Sequence, residues 1–225
     1  MKLLVRRLHH ILLICGILAS ITYVATDTLA GLQYPGYNFI DQAISELLAI
    51  NAPTSSLVVL LFTLYDLLLI AFAFGVWLSA ERNRVLRITA LLIIGNAVMG
   101  LMLWNIFPMH MRGVEATFTD TMHILLAGLG VIFILLAVVF GSFALGKRFR
   151  FYSILTILLF CAPSILIFVF SLSFPEILGK TVEMPPLTGI SERVSTYVYM
   201  LWQVVFAIVL LRIKNRPVIV VSGDA

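Results

Sequence analysis

Residues 56–80 read Ser56-Leu-Val-Val-Leu-Leu-Phe-Thr-Leu-Tyr-Asp-Leu-Leu-Leu-Ile-Ala-Phe-Ala-Phe-Gly-Val-Trp-Leu-Ser-Ala80. Asp66 is the one acidic or basic residue in the run. About 20 predominantly apolar residues carry an α-helix across the hydrocarbon core of a bilayer, so this stretch predicts a membrane span. It shows none of the strict apolar–polar alternation of a barrel strand. Five further windows have the same character: Leu8–Leu29, Ile88–Phe107, Phe118–Leu145, Phe151–Leu172 and Thr196–Ile213. In lipid every backbone polar group must be satisfied internally, which a helix does within itself.

Composition agrees with the windows. The 225 residues are 61% hydrophobic and 12% charged, against about 25% charged in a soluble domain. The expected fold is all-α: an integral membrane bundle of six transmembrane helices forming one domain over residues 1–213, followed by a short cytoplasmic tail, 214–225.

Basic residues set the expected orientation. Lys2, Arg6 and Arg7 lie at the amino terminus, Arg82, Arg84 and Arg87 in the second loop, Lys147, Arg148 and Arg150 in the fourth, and Arg212, Lys214 and Arg216 in the tail. A six-span topology puts all of them on one side, leaving Arg112, Lys180 and Arg193 on the other. The positive-inside rule then makes both termini cytoplasmic and the protein a multi-pass component of a plasma (inner) membrane. The net charge of +4 is a topology signal, and no nucleic-acid patch is visible. Membrane lipids are the expected partners, and a homo-oligomer stays open. Cys15 and Cys161 both fall in predicted spans, where thiols act as small hydrophobes.

The loops expected on the outer side differ in kind. In the first, Gln33-Tyr-Pro-Gly-Tyr37 reads as a turn. Phe39, Ile40, Ala43, Ile44, Leu47 and Leu48 then recur at helical spacing, with Asp41, Gln42, Ser45 and Glu46 opposite. This predicts a short amphipathic helix of about three turns, lying at the interface or over the bundle mouth. The last outer loop, with Pro175, Pro185 and Pro186, reads as an irregular cap.

Polar side chains collect around these loops. Asp120 and His123 are three residues apart at the start of the fourth span, hence on one helical face. A carboxylate beside an imidazole can fix its tautomer or share a metal with it; equally, Asp120 suits a helix N-terminus and His123 can bond a neighbouring helix. With His110 they make two histidines and one aspartate, a zinc-type ligand set with open positions, at a spacing that matches no familiar metal motif. Asp66 and Asn96 are the polar groups deepest in lipid. Both must face the bundle interior, either as interhelical hydrogen bonds or on a substrate path. Tyr34, Tyr37, Arg112, Glu192, Arg193 and Trp202 complete the candidate ligand-binding set; Arg193 suits a lipid phosphate or an ion pair with an outer acid. Trp77, Trp104 and several tyrosines near span ends fit an interfacial aromatic belt.

The order of these blocks is itself informative. Tyr34-Pro-Gly-Tyr37, Ile44-Ser-Glu-Leu47 and Ala52-Pro53, then Phe107-Pro108, His123 opening the fourth span, and Gly189-Ile-Ser-Glu-Arg193 leading to Trp202, together resemble the DUF998 family of multi-pass membrane proteins over residues 10–213. That family often carries an aspartate soon after Phe-Pro, where this chain has His110. The resemblance implies the fold and topology and supplies no reaction.

Three function classes follow. The first is a non-catalytic protein whose outward-facing polar pocket binds a lipid or amphiphile. The second is an intramembrane lipid hydrolase, with His110, Asp120 and His123 holding zinc and Ser45 or Glu46 assisting. The third is a small transporter with Asp66 and Asn96 at the midplane.

Overall fold

The computed structural model describes residues 2–173 and 186–214. It is helical, with no strand among the described residues. The long helices are α1 (Lys2–Gln33), α2 (Ser55–Ser79), α3 (Arg84–Asn105), α4 (Phe118–Ala144), α5 (Lys147–Ser173) and α6 (Thr188–Lys214). All six contain stretches long and apolar enough to cross a membrane. Most of the proline-rich cap and nearly all of the tail expected over 214–225 fall outside the described residues.

Each helix packs against its neighbours in sequence, and α6 returns to α1. The six helices therefore form a closed ring, across which α2 and α6 meet at only a few positions. Short connections between successive spans force neighbours to run antiparallel, so one end of the ring gathers the basic loops after α2 and α4. The other end, the capped end, gathers the loops after α1 and α3, the end of α5 and the start of α6.

The two halves of the ring are filled differently. Toward the basic end, Phe72, Phe149, Trp202 and Phe206 converge on the axis. Trp202 and Phe206 stack at 4.8 Å, Phe149 and Phe206 at 5.6 Å, and Phe72 meets Phe206 edge-on at 6.1 Å. Offset and edge-on aromatic pairs of this kind gain energy beyond the area they bury. The Trp202 indole N–H donates to Ser153 Oγ at 2.9 Å, tying α6 to α5. Gln203 Nε2 donates to the Gly16 carbonyl at 2.7 Å and to Ser20 Oγ, tying α6 to α1. Trp202, a candidate ligand residue from sequence, is a fully buried part of this plug.

At the capped end the loop after α1 turns inward. The expected three-turn amphipathic helix is replaced by a 3-10 helix of five residues, Ile44–Leu48. Ile44, Leu47 and Leu48 are fully buried, so the segment is inserted in the mouth of the ring instead of resting on its surface. Its length is limited by competition for backbone groups. The Phe39 and Gln42 carbonyls are taken by Arg193, the Ile44 N–H by Glu192 and the Ala43 N–H by Glu46, and these cannot also feed a helical ladder.

Candidate functional site

Two arginines build the cap. Arg193, on the second turn of α6, faces Asp27 near the end of α1 with Nε–Oδ2 at 3.0 Å and Nη2–Oδ1 at 2.8 Å. Tyr197 adds a third donor to Asp27. The remaining Arg193 hydrogens reach the Phe39, Gln42 and Gly189 carbonyls and the Tyr37 hydroxyl, all within 3.1 Å. Its guanidinium also lies over the Phe39 and Tyr37 rings, at 4.8 and 5.4 Å. Asp27 is fully buried and Arg193 nearly so. Of the two partners the sequence allowed Arg193, the structure selects an acid, Asp27, and no donor is left over for a lipid phosphate. Gly189 is required by this approach: a Cβ there would stand 2.3 Å from the Gln42 carbonyl oxygen.

Arg112, from the loop after α3, makes the second clamp. Its Nε and Nη2 reach the two carboxylate oxygens of Glu46 at 2.7 Å, and Nη2 also reaches the Asp41 carbonyl. Hydrogen bonding to Glu46 raises the Arg112 pKa. Burial pushes the Tyr37 hydroxyl well above its ordinary value despite Arg193 beside it; Tyr37 stays a neutral donor to the Gln42 and Ala43 carbonyls. Tyr34 packs on Tyr37 at 5.6 Å and donates to the Met111 sulfur.

Asp120 closes the first turn of α4. One oxygen accepts the His110 N–H at 2.7 Å; the other accepts the Thr117 N–H and hydroxyl and faces His110 Nδ1 at 2.9 Å. This is a reciprocal N-terminal cap extended to a histidine. His123 turns the other way: its Nδ1–H donates to the Phe107 carbonyl at 2.8 Å, and Nε2 takes no part in that bond. Among the described residues no three of His, Cys, Asp and Glu are grouped to hold a metal. His110 and Asp120 are brought together, and His123 is not grouped with them.

Beneath the cap the ring encloses a cavity of about 560 Å³. Its walls are mostly apolar, among them Met99, Leu103, Leu126, Ile134, Phe160 and Met200. Ser45, Asp120, His123 and Glu192 line it, as do Asp66, Asn96, Tyr23, Tyr65, Trp104 and Tyr199. Asp66 Oδ2 accepts the Trp104 indole N–H at 2.7 Å. Tyr23 stacks on Phe62 at 4.5 Å and meets Tyr65 edge-on at 5.0 Å. The Tyr199 hydroxyl is buried without a hydrogen-bond partner. Gly100 gives Asp66 its room: a Cβ there would stand 2.7 Å from both carboxylate oxygens.

The cavity reaches the lipid-facing surface between α4 and α5. Ile124 and Val131 on α4 line it and are 69% and 41% exposed; Ser164 on α5 lines it and is exposed as well. Pro163 lies inside α5 at this level and leaves the Leu159 carbonyl without its helical donor.

The sequence reading placed Asp66, Asn96, Ser45, Asp120, His123 and Glu192 among the candidates, and the structure gathers all six around one cavity. It sets Arg112, Arg193, Tyr34, Tyr37 and Glu46 in the cap. The reading missed Asp27, Tyr23, Tyr65 and Tyr199, and took Trp104 for a belt residue although it bonds Asp66. A tyrosine beside an aspartate in mid-span, Tyr65-Asp66, was the available signal.

The family model described as a protein of unknown function (DUF998) matches residues 17–209. No curated protein and no solved structure matches the chain.

Proposed function

We propose that this chain, which belongs to the DUF998 family, is a non-catalytic membrane protein that binds one amphiphile in the cavity of its helix ring. The observation that carries the reading is the cavity itself. Its volume of about 560 Å³ falls in the range of small-molecule sites, roughly 300–1,000 Å³, and it shares their pattern of apolar walls with few polar groups. The seam between α4 and α5 is the route in from the lipid phase, so the apolar chain never has to cross water. In this reading both termini are cytoplasmic, the capped end faces outward, and the membrane is the plasma (inner) membrane.

Two further observations favour binding over the alternatives. The arginines and Glu46 are spent on holding the cap, and Asp120 on a helix terminus. The aromatic plug of Phe72, Phe149, Trp202 and Phe206 closes the ring below the cavity, so the site has the form of a closed-bottomed receptor.

The test is tryptophan quenching by a lipid-compatible amphiphile with a brominated chain, added to protein in nanodiscs. Trp104 lines the cavity and Trp77 and Trp202 do not. Saturable quenching that disappears in Trp104→Phe is expected. Quenching that rises linearly with amphiphile and is unchanged in Trp104→Phe would sink the proposal.

A further inference from the structure

The charges of the capped half can be paired off one by one. Arg193 is matched by Asp27 and Arg112 by Glu46. Asp120 is held by His110 and Thr117. Two carboxylates that line the cavity remain, Asp66 and Glu192. The hydrogen bonds to Asp66 and Glu192 come from neutral donors, the Trp104 indole at 2.7 Å and the Ile44 backbone N–H at 2.8 Å. Among the described residues no lysine or arginine lines the cavity. Arg193 directly follows Glu192, but its donors are committed to Asp27, the loop carbonyls and Tyr37.

A carboxylate in apolar surroundings is costly unless a cation meets it or it takes up a proton. Tyr23 and Tyr65 line the cavity together with Asp66 and Glu192, and their two rings meet edge-on at 5.0 Å. Carboxylate and aromatic faces together are the usual recognition chemistry of an ammonium group. Tyr199 is a further unsatisfied group in this region. This fully buried residue lines the same space, and its hydroxyl has no partner. An anionic head would meet two acids and neither lysine nor arginine.

We infer that the amphiphile taken by the cavity carries an ammonium head, seated among Asp66, Glu192, Tyr23 and Tyr65 with its apolar chain toward the α4–α5 seam. The inference rests on the cavity being a ligand site, and the test separates the two.

Protein in nanodiscs is titrated with dodecyl amphiphiles that differ only in the head: primary ammonium, trimethylammonium, phosphate and uncharged glycerol. Each competes against the brominated probe for quenching of Trp104. The ammonium heads are expected to bind about tenfold or more tightly than the glycerol head, the scale of a desolvated cation–aromatic contact, and the phosphate head most weakly. Asp66→Asn keeps the size of the side chain and should erase most of that preference; Glu192→Gln should lower it. Equal displacement by all four heads in the unaltered protein overturns the ammonium assignment and leaves the cavity reading intact. Displacement by none of them, with no saturable probe binding, overturns the cavity reading. The comparison of heads in the unaltered protein decides the matter even if either variant fails to fold.

Discussion

Replacing Arg193 by methionine tests the architecture of the capped end most directly. The change keeps the length of an unbranched side chain and removes all five N–H donors. Asp27 is fully buried and would keep the Tyr197 hydroxyl as its remaining partner. Leaving one member of a buried ion pair without the other costs about 3–5 kcal/mol. For a chain of this size about 1 kcal/mol moves the thermal midpoint by roughly 2–4 °C, so the midpoint should fall by about 6–20 °C. Asp27→Asn alone should cost a similar amount, because it strands the guanidinium. The double variant Asp27→Asn/Arg193→Met removes both charges. What it then lacks are the bonds to the Phe39, Gln42 and Gly189 carbonyls and the Tyr37 hydroxyl, which Arg193→Met lacks as well. It should therefore be more stable than either single variant. The assay is intrinsic-fluorescence melting in one fixed detergent or nanodisc, read as a double-mutant cycle. Single variants that melt with the parent, or a double variant whose loss equals the sum of the two singles, would refute the claim that this pair holds the cap.

The second clamp should matter less. The Arg112 side chain is 34% exposed and Glu46, though buried, keeps the Ala43 N–H and Gln42 as donors, so Arg112→Met should cost about 1–3 kcal/mol in the same melt. Asp120→Asn keeps the shape but replaces an accepting oxygen with N–H donors at a site that faces His110 and Thr117. A loss of about 1–3 kcal/mol is expected, with probe binding in the cavity unchanged; a large fall in binding without any fall in stability would give Asp120 a direct role in the site. Gly130 lines the cavity, and a Cβ there would meet Asn96 Oδ1 at a comfortable 3.4 Å. Gly130→Leu should therefore abolish saturable quenching of Trp104 while leaving the melting midpoint level or higher, and undiminished quenching would count against the cavity as the binding site.

Hydropathy made the spans legible because lipid imposes a length and a composition on every crossing. Ser56–Ala80 in the sequence became Ser55–Ser79, and Phe118–Leu145 became Phe118–Ala144. It failed at the sixth span. That helix begins at Thr188, eight residues before the apolar run at Thr196. Its first two turns carry Ser191, Glu192, Arg193 and Ser195, whose polar groups are met inside the ring by Asp27, Ile44 and the Phe160 carbonyl. A hydropathy window counts such residues as aqueous because it cannot see a partner 166 positions away. The same blindness turned Trp104 into a belt residue and the Phe39–Leu48 periodicity into a three-turn helix. In both cases a long-range hydrogen bond, to Asp66 or from Arg193, decided the outcome over local pattern. The candidate acids and histidines were legible as types, since ionisable groups stand out against a lipid-compatible background. Which of them would be consumed by structure was not, because that depends on the closing of the ring.

The ring also explains why a cavity exists at one level and not the other. Six helices in a closed circle leave an axial space that their side chains must fill. Toward the basic end the inward positions hold Phe72, Phe149, Trp202 and Phe206, and the space is filled. Toward the capped end several inward positions hold Gly100, Ala127, Gly130, Ser164, Ser191 and Ser195, which cannot span it. A void lined by small residues forfeits packing energy, and the polar groups there raise the cost further: Asp66 and Asn96 are buried, and the Tyr199 hydroxyl has no partner. Leucine at Gly130 and phenylalanine at Ser164 would fill the space with ordinary hydrophobic packing. Local choices that run against stability are expected where a site needs them. Here they coincide in one volume, beside the one seam at which a proline interrupts the hydrogen bonding of α5, and that coincidence is what an amphiphile entering from the side of the bundle would require.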